Sequence, residues 1–142
     1  MDCTVRWVGN DAGMSFIAET GSGHAVVMDG APEAGGRNLG PRPMEMLLAG
    51  TGGCSAFDVV LILKKGRHAV SGCEVSLKAE RSESDPKIFT QIHFHYRVTG
   101  KGLKPEAVDR AITLSKEKYC SASIMMGQTA AISYDFEIIE TT

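Results

Sequence analysis

Hydrophobic and polar positions alternate along the first thirty residues with the period of a β-strand. Cys3, Val5 and Trp7 fall on one side of residues 3–8, with Thr4 and Arg6 on the other, which predicts a strand buried on one face. Asn10, Asp11 and Gly13 supply a turn, and the runs at residues 14–19 and 24–28 flank the turn sequence TGSG, so a hairpin follows. The opening is therefore a small meander. Residues 30–43, GAPEAGGRNLGPRP, show no periodicity and are rich in glycine and proline, which predicts a loop carrying Arg37 and Arg42.

The pattern then changes. Pro43–Lys65, PMEMLLAGTGGCSAFDVVLILKK, has no charge between Met46 and Phe57. At about 100° per residue Leu47, Cys54, Asp58 and Leu61 share one stripe, while Leu48, Ala49, Phe57, Val59, Val60, Ile62 and Leu63 fill most of the rest. Pro43 suits the first helical turn, where its missing N–H would have no partner, and Gly66 suits the position past the end. A helix apolar on nearly every side has to be surrounded. A membrane-spanning helix needs about 20 mainly apolar residues, and Glu45, Asp58, Gly50, Gly52 and Gly53 interrupt this stretch, so protein is the expected surrounding. Each glycine costs up to about 1 kcal/mol against alanine in a helix, and close approach of neighbouring backbone around Cys54 is the expected compensation.

Period two returns at residues 73–81, where Cys73, Val75, Leu77 and Ala79 alternate with charged and polar residues. The polar SESDP makes a turn, and residues 88–99 repeat the pattern with Ile88, Thr90, Ile92, Phe94, Tyr96 and Val98 on one face and Gln91, His93, His95 and Arg97 on the other. Pro105 opens a second helix with a Val108, Ala111, Ile112 and Ser115 stripe, ending near Tyr119. Ser121 reads as the N-cap of a short third helix through Met126, and residues 132–139 finish as a strand with Ile132, Tyr134, Phe136 and Ile138 inward. This segregated order predicts one α+β domain over residues 1–142, an antiparallel sheet around a long buried central helix. A chain this small has few layers with which to cover that helix, so a homodimer is expected.

The chain has 142 residues, 43% of them hydrophobic, enough for a core without staples. A formal charge of -2 with 15 Lys plus Arg gives no basic patch, which argues against nucleic-acid binding. The first residues have neither the basic segment nor the apolar core of a signal peptide, and a cytoplasmic protein with no membrane partner is expected.

Cys3, Cys54, Cys73 and Cys120 lie far apart and show no CxxC or Cys/His spacing of a zinc site, so no metal and no cofactor are expected. An ordinary thiol is only a few per cent thiolate at neutral pH, so a working nucleophile needs electropositive help. Cys120, in KYCSAS, falls directly before a helix start, where free N–H groups stabilise a thiolate, with Lys116 and Lys118 near in sequence. Cys54, in GGCSAFD, has Asp58 one turn on, and a carboxylate there raises a thiol's pKa unless a cation such as Arg37 or Arg42, or a partner-chain group, intervenes. Cys3 and Cys73 begin strands, face inward by alternation and read as inert. His93 and His95 share a strand face with no third ligand in view and read as a solvated pair.

Pro43-Met44-Glu45-Met46-Leu47, Gly52-Gly53-Cys54-Ser55-Ala56 with Asp58-Val59-Val60, and Leu114-Ser115 through Tyr119-Cys120-Ser121 resemble the signature segments of the OsmC/Ohr family, closest to the OsmC-like branch typified by the bacterial YhfA proteins. The resemblance spans essentially the whole chain. It implies an intertwined α+β homodimer with active sites at the interface and a cysteine-based peroxidase acting on small organic hydroperoxides in oxidative stress defence. In that chemistry Cys54 attacks the peroxide and becomes a sulfenic acid, Cys120 condenses with it to a disulfide, and a dithiol reduces the disulfide. The peroxidase branches also place an Arg in the amino-terminal region and a Glu directly after the motif proline. Here Met44 follows Pro43, Glu45 comes one place later, and no Arg lies around TGSGHAV, so Glu45, Arg42 and Asp58 are the supporting candidates. The alternative is a non-enzymatic dimer of the same fold that binds an apolar or electrophilic small molecule, or a thiol redox sensor.

Overall fold

The computed structural model describes residues 1–8 and 13–142; Asn10 and Asp11, where the first turn is expected, lie outside them. The chain forms two compact units, Met1–Leu48 and Ala49–Thr142.

The first unit is the expected meander, an antiparallel sheet in the order β1 (Cys3–Trp7), β2 (Phe16–Thr20) and β3 (Ala25–Met28). Its alternation does not mark a buried face, however. Every residue of β1 is exposed, Val5 at 52% and Trp7 at 53%, and Cys3 is exposed rather than inward. The glycine-rich segment that follows is tied down by one buried carboxylate: Asp29 accepts backbone N–H groups from Gly30, Arg37 and Leu39 at 2.8, 3.2 and 3.0 Å. These bonds, the one from Leu39 foremost, hold the Asp29 pKa below the usual carboxylate value despite burial.

Helix α1 (Pro43–Lys65) has the predicted bounds and runs from the first unit into the second. The Arg42 carbonyl accepts from the Met46 N–H at 3.0 Å, while the Arg42 N–H donates to Glu45 Oε2 at 2.9 Å. A side chain reaching back three residues in this way is half of a capping box. At the other end the residue in the left-handed conformation is Arg67, φ 59°, not Gly66. The His68 N–H bonds to the Leu63 carbonyl at 3.0 Å and the Arg67 N–H to that of Lys64 at 2.9 Å, a Schellman arrangement one position later than the glycine suggests. Gly66 serves a different end: a Cβ there would lie 2.7 Å from the His68 ring.

The second unit holds the core. Strands β4 (Ala69–Arg81) and β5 (Phe89–Lys101) are antiparallel, as expected, and β4 begins four residues before the predicted Cys73, which places Cys73 inside the strand and half-buried. Strand β6 (Ala131–Glu140) pairs with β5 in parallel, which corrects the expectation of a purely antiparallel sheet. The intervening helices α2 (Pro105–Leu114) and α3 (Ser121–Met126) form the crossover that a parallel neighbour requires. Val59 and Leu63 of α1, Ile92, Phe94, Tyr96 and Val98 of β5, and Val108, Ala111 and Ile112 of α2 are all buried to 2% exposure or less. Burying a side chain of this size contributes about 1.5–3 kcal/mol.

Within this chain α1 is covered on one side only. Thr51, Gly52, Ser55, Val59 and Leu63 are buried, whereas Phe57 is 67% and Leu61 37% exposed. The helix is long and apolar enough to cross a membrane, yet its Val59 and Leu63 stripe serves as the core of the second unit. Nor do the glycines admit backbone. A Cβ at Gly52 would meet the Leu77 side chain at 2.5 Å, and at Gly50 and Gly53 it would meet nothing among the described residues within 4 Å.

Candidate functional site

Cys54 and Asp58 stand one turn apart on α1, half-buried, on a common face as their spacing requires. Cys120 arrives from a remote part of the chain, and the backbone that delivers it is irregular. After α2 the helix widens into a π-helical turn, Ser115–Tyr119, closed by the Cys120 N–H on the Ser115 carbonyl at 2.8 Å. Such turns recur at functional sites because they shift the phase of the residues that follow. Cys120 then leaves helical geometry, with φ -74° and ψ 95°, and α3 begins. The two sulfurs and an Asp58 carboxylate oxygen all lie within 4.8 Å of one another.

Cys120 is itself the N-cap of α3, the role expected for Ser121. Its Sγ accepts from the Ser123 N–H at 3.3 Å and the Ser123 hydroxyl at 3.1 Å. Both bonds favour the thiolate, as expected of a thiol at a helix start. They do not prevail. Cys120 is fully buried, and desolvation, reinforced by the neighbouring Cys54, pushes its pKa up. The two lysines near it in sequence point elsewhere: Lys116 lies over the Tyr134 ring and Lys118 over the Tyr119 ring, at 5.4 and 5.3 Å.

Behind the thiols runs a hydrogen-bonded chain that sequence reasoning missed. Tyr96 of β5 and Ser55 of α1 share a bond of 2.6 Å, Ser55 and Ser115 one of 3.1 Å, and the Ser115 hydroxyl donates to Asp58 Oδ2 at 3.2 Å. Ser55 and Ser115 are buried, and so is the Tyr96 phenol, whose pKa is pushed up to about 12 by desolvation. The only trace in the sequence was a serine on an otherwise apolar stripe of α2 and a tyrosine on the apolar face of β5.

Arg42 and Glu45 are placed differently from the thiols and Asp58. They belong to the first unit, where both are largely exposed and pair with each other, the guanidinium 3.4 Å from the carboxylate. Arg37 lies against Gly13, its guanidinium about where a Cβ there would stand, 3.0 Å away. Among the described residues no ion pair includes Asp58.

The histidine pair gains partners from β6 that spacing did not reveal. Asp135 Oδ1 is 2.6 Å from His95 Nδ1 and 3.3 Å from His93 Nε2, and Glu137 bonds Arg97 at 2.6 Å. The hydrogen bond that His95 donates to Asp135 raises the His95 pKa and lowers the Asp135 pKa. No metal pattern was visible in the sequence, yet the fold brings together Cys54, Asp58 and Cys120, three side chains of types that can ligate a metal. The spacing of one helical turn supplies two of them and a distant cap the third.

Comparison with known proteins shows what the chain resembles in sequence and fold. The family described as OsmC-like protein matches residues 35–135. Protein YhfA of Escherichia coli strain K12 is 47% identical over 139 residues, 98% of either chain. A hypothetical protein from Aquifex aeolicus VF5 is 30% identical with a TM-score of 0.78, covering 98% of this chain and 97% of its own. The organic hydroperoxide resistance protein OhrB of Bacillus subtilis shares the fold, with a TM-score of 0.60 at 20% identity over 96% and 98% of the two chains.

Proposed function

The chain belongs to the OsmC-like family, and from that membership and the meeting of its two thiols we propose that it is a cysteine-based peroxidase that reduces small organic hydroperoxides. The observation that carries the reading is the approach of the Cys54 and Cys120 sulfurs to within 4.8 Å from α1 and from the N-cap of α3. The likeness to OhrB, named an organic hydroperoxide resistance protein, supports it by analogy of fold.

The Cys54 thiolate attacks one peroxide oxygen, the O–O bond breaks, and the departing alkoxide takes a proton to leave as an alcohol. Cys54 is then a sulfenic acid. The Cys120 thiolate attacks its sulfur, the S–S bond forms, and the hydroxyl leaves with a proton as water. A dithiol reductant restores both thiols by exchange and is itself oxidised to a disulfide. Asp58, beside Cys54, is suited to receive the thiol proton and return it to the alkoxide. Burial and the neighbouring Cys54 push the Cys120 pKa up, which disfavours its thiolate in the reduced pair.

A second copy of the chain is the proposed partner. The uncovered face of α1, through Phe57, Val60 and Leu61, lines a mainly apolar groove with Cys73 of β4 and with Lys64 at its edge. Such a partner would also be the source of a cation at the thiols. The pairing of Arg42 with Glu45 favours a second reading, a slower thiol sensor or a binder of an electrophilic ligand, because it leaves neither group dedicated to the thiolate.

Stopped-flow oxidation of the reduced protein by cumene hydroperoxide and by hydrogen peroxide tests the proposal. A fast reaction that prefers the organic peroxide and disappears in Cys54→Ser is expected. A rate no greater than that of a free thiol leaves the sensor or binder.

A further inference from the structure

We propose that Cys54, Asp58 and Cys120 form a binding site for a thiophilic divalent cation, with zinc the expected occupant. Nothing in this requires peroxidase activity. Two sulfurs and a carboxylate oxygen already lie within 4.8 Å of one another. In a tetrahedral zinc site, with Zn–S about 2.3 Å and Zn–O about 2.0–2.2 Å, neighbouring ligand atoms are roughly 3.4–3.8 Å apart. The donors stand on fixed elements, two on successive turns of α1 and one at the N-cap of α3.

The groups around the donors are those that hold metal ligands in place. Cys120 Sγ accepts two bonds from Ser123, which stabilise the thiolate a metal needs. Asp58 Oδ2 is held by the Ser115 hydroxyl, which leaves Oδ1 free to ligate, and Ser115 is held in turn by Ser55 and Tyr96. Among the described residues no ion pair supplies a cation to Asp58. Two sulfur donors select zinc or cadmium over magnesium or calcium. Three protein ligands would leave a fourth position for water or another ligand.

Binding releases the two thiol protons to water and changes no oxidation state. Since metal ligation and the Cys54–Cys120 disulfide use the same sulfurs, the loaded site holds its thiols against oxidation.

Titration of the reduced full-length protein with cadmium, followed by the ultraviolet cadmium–thiolate charge-transfer band and by zinc competition, tests the site. One ion per chain is expected, with the band lost in Cys54→Ser and Cys120→Ser and unchanged in Cys3→Ser and Cys73→Ser. Asp58→Asn is expected to weaken binding by on the order of 10-fold or more, at least the loss seen when an outer partner of a ligand is removed. Replacing the buried Cys120 can unfold the chain, so protection of Cys54 from alkylation by zinc is read in the unmodified protein as well. Absence of both band and protection at micromolar metal, or binding that survives Cys54→Ser, overturns the proposal. Hydroperoxide turnover of the metal-free protein is measured separately, so failure of either result leaves the other standing.

Discussion

The Ser115 hydroxyl donates to the Asp58 carboxylate across 3.2 Å, and this contact between the start of the π-helical turn and α1 sets where the carboxylate stands beside the two thiols. Ser115→Ala removes it together with the bond to Ser55, while the backbone bond to Cys120 is retained. A loss of about 1–2 kcal/mol in stability is expected, from a buried polar group left with one partner fewer. The urea midpoint measures it, with the slope unchanged. A midpoint equal to that of the unmodified protein would show that the network is not held as described.

Tyr96 gives the network a signature at high pH. Its phenol is raised from 10.0 to about 12 by desolvation, so the folded state favours the neutral form. For a group raised on folding, the contribution to stability is whole below the unfolded pKa and is lost as pH rises through the folded one. Stability is therefore expected to fall between about pH 10 and 12, and this segment of the fall to shrink in Tyr96→Phe. Tyrosinate absorbance should show one of the three tyrosines titrating later than the others. Simultaneous titration of all three would refute the burial argument.

Strand pairing in parallel between β5 and β6 brings His95 to Asp135 at 2.6 Å. The histidine is raised and the aspartate lowered by this contact. The histidine's part is present below its unfolded pKa and lost as pH rises through the folded value. That of the aspartate is present above its unfolded pKa and lost as pH falls through its own. The pair is thus strongest between the two. Asp135→Asn is expected to lower the His95 midpoint in an NMR titration, with little effect on stability because the pair is exposed and screened by salt. An unmoved midpoint would mean that the contact is not made in solution.

Phe57, 67% exposed on the uncovered face of α1, tests the proposed second copy. Phe57→Glu is expected to shift sedimentation from dimer to monomer without unfolding the second unit, because the buried stripe through Val59 and Leu63 lies on another side of the helix. Sedimentation of the unmodified protein as a monomer would remove the need for any partner.

The bounds of α1, the meander and most of β5 were legible in the sequence because proline, glycine and strict periodicity mark them. Less legible was whatever depends on distant pairing. The parallel register of β6 follows from the path of α2 and α3 over the sheet, and no local pattern of residues 131–140 encodes it. The exposure of Cys3, Val5 and Trp7 escaped for the opposite reason: alternation shows that a strand has two faces and is silent on whether either is covered. At the site, the shared face of Cys54 and Asp58 was readable from their spacing of four. The N-cap role of Cys120, assigned to its neighbour, was one residue out because sulfur is an unusual cap, and the π-helical turn that aims it has no sequence signal.

The decisive measurement is peptide mapping of the reduced protein after one equivalent of cumene hydroperoxide. A single Cys54–Cys120 disulfide is expected, with Cys3 and Cys73 left as thiols, and Cys120→Ser should stop at a Cys54 sulfenic acid that dimedone traps. Oxidation spread to Cys3 and Cys73, or Cys54 and Cys120 recovered as unmodified thiols, would contradict the peroxidase reading.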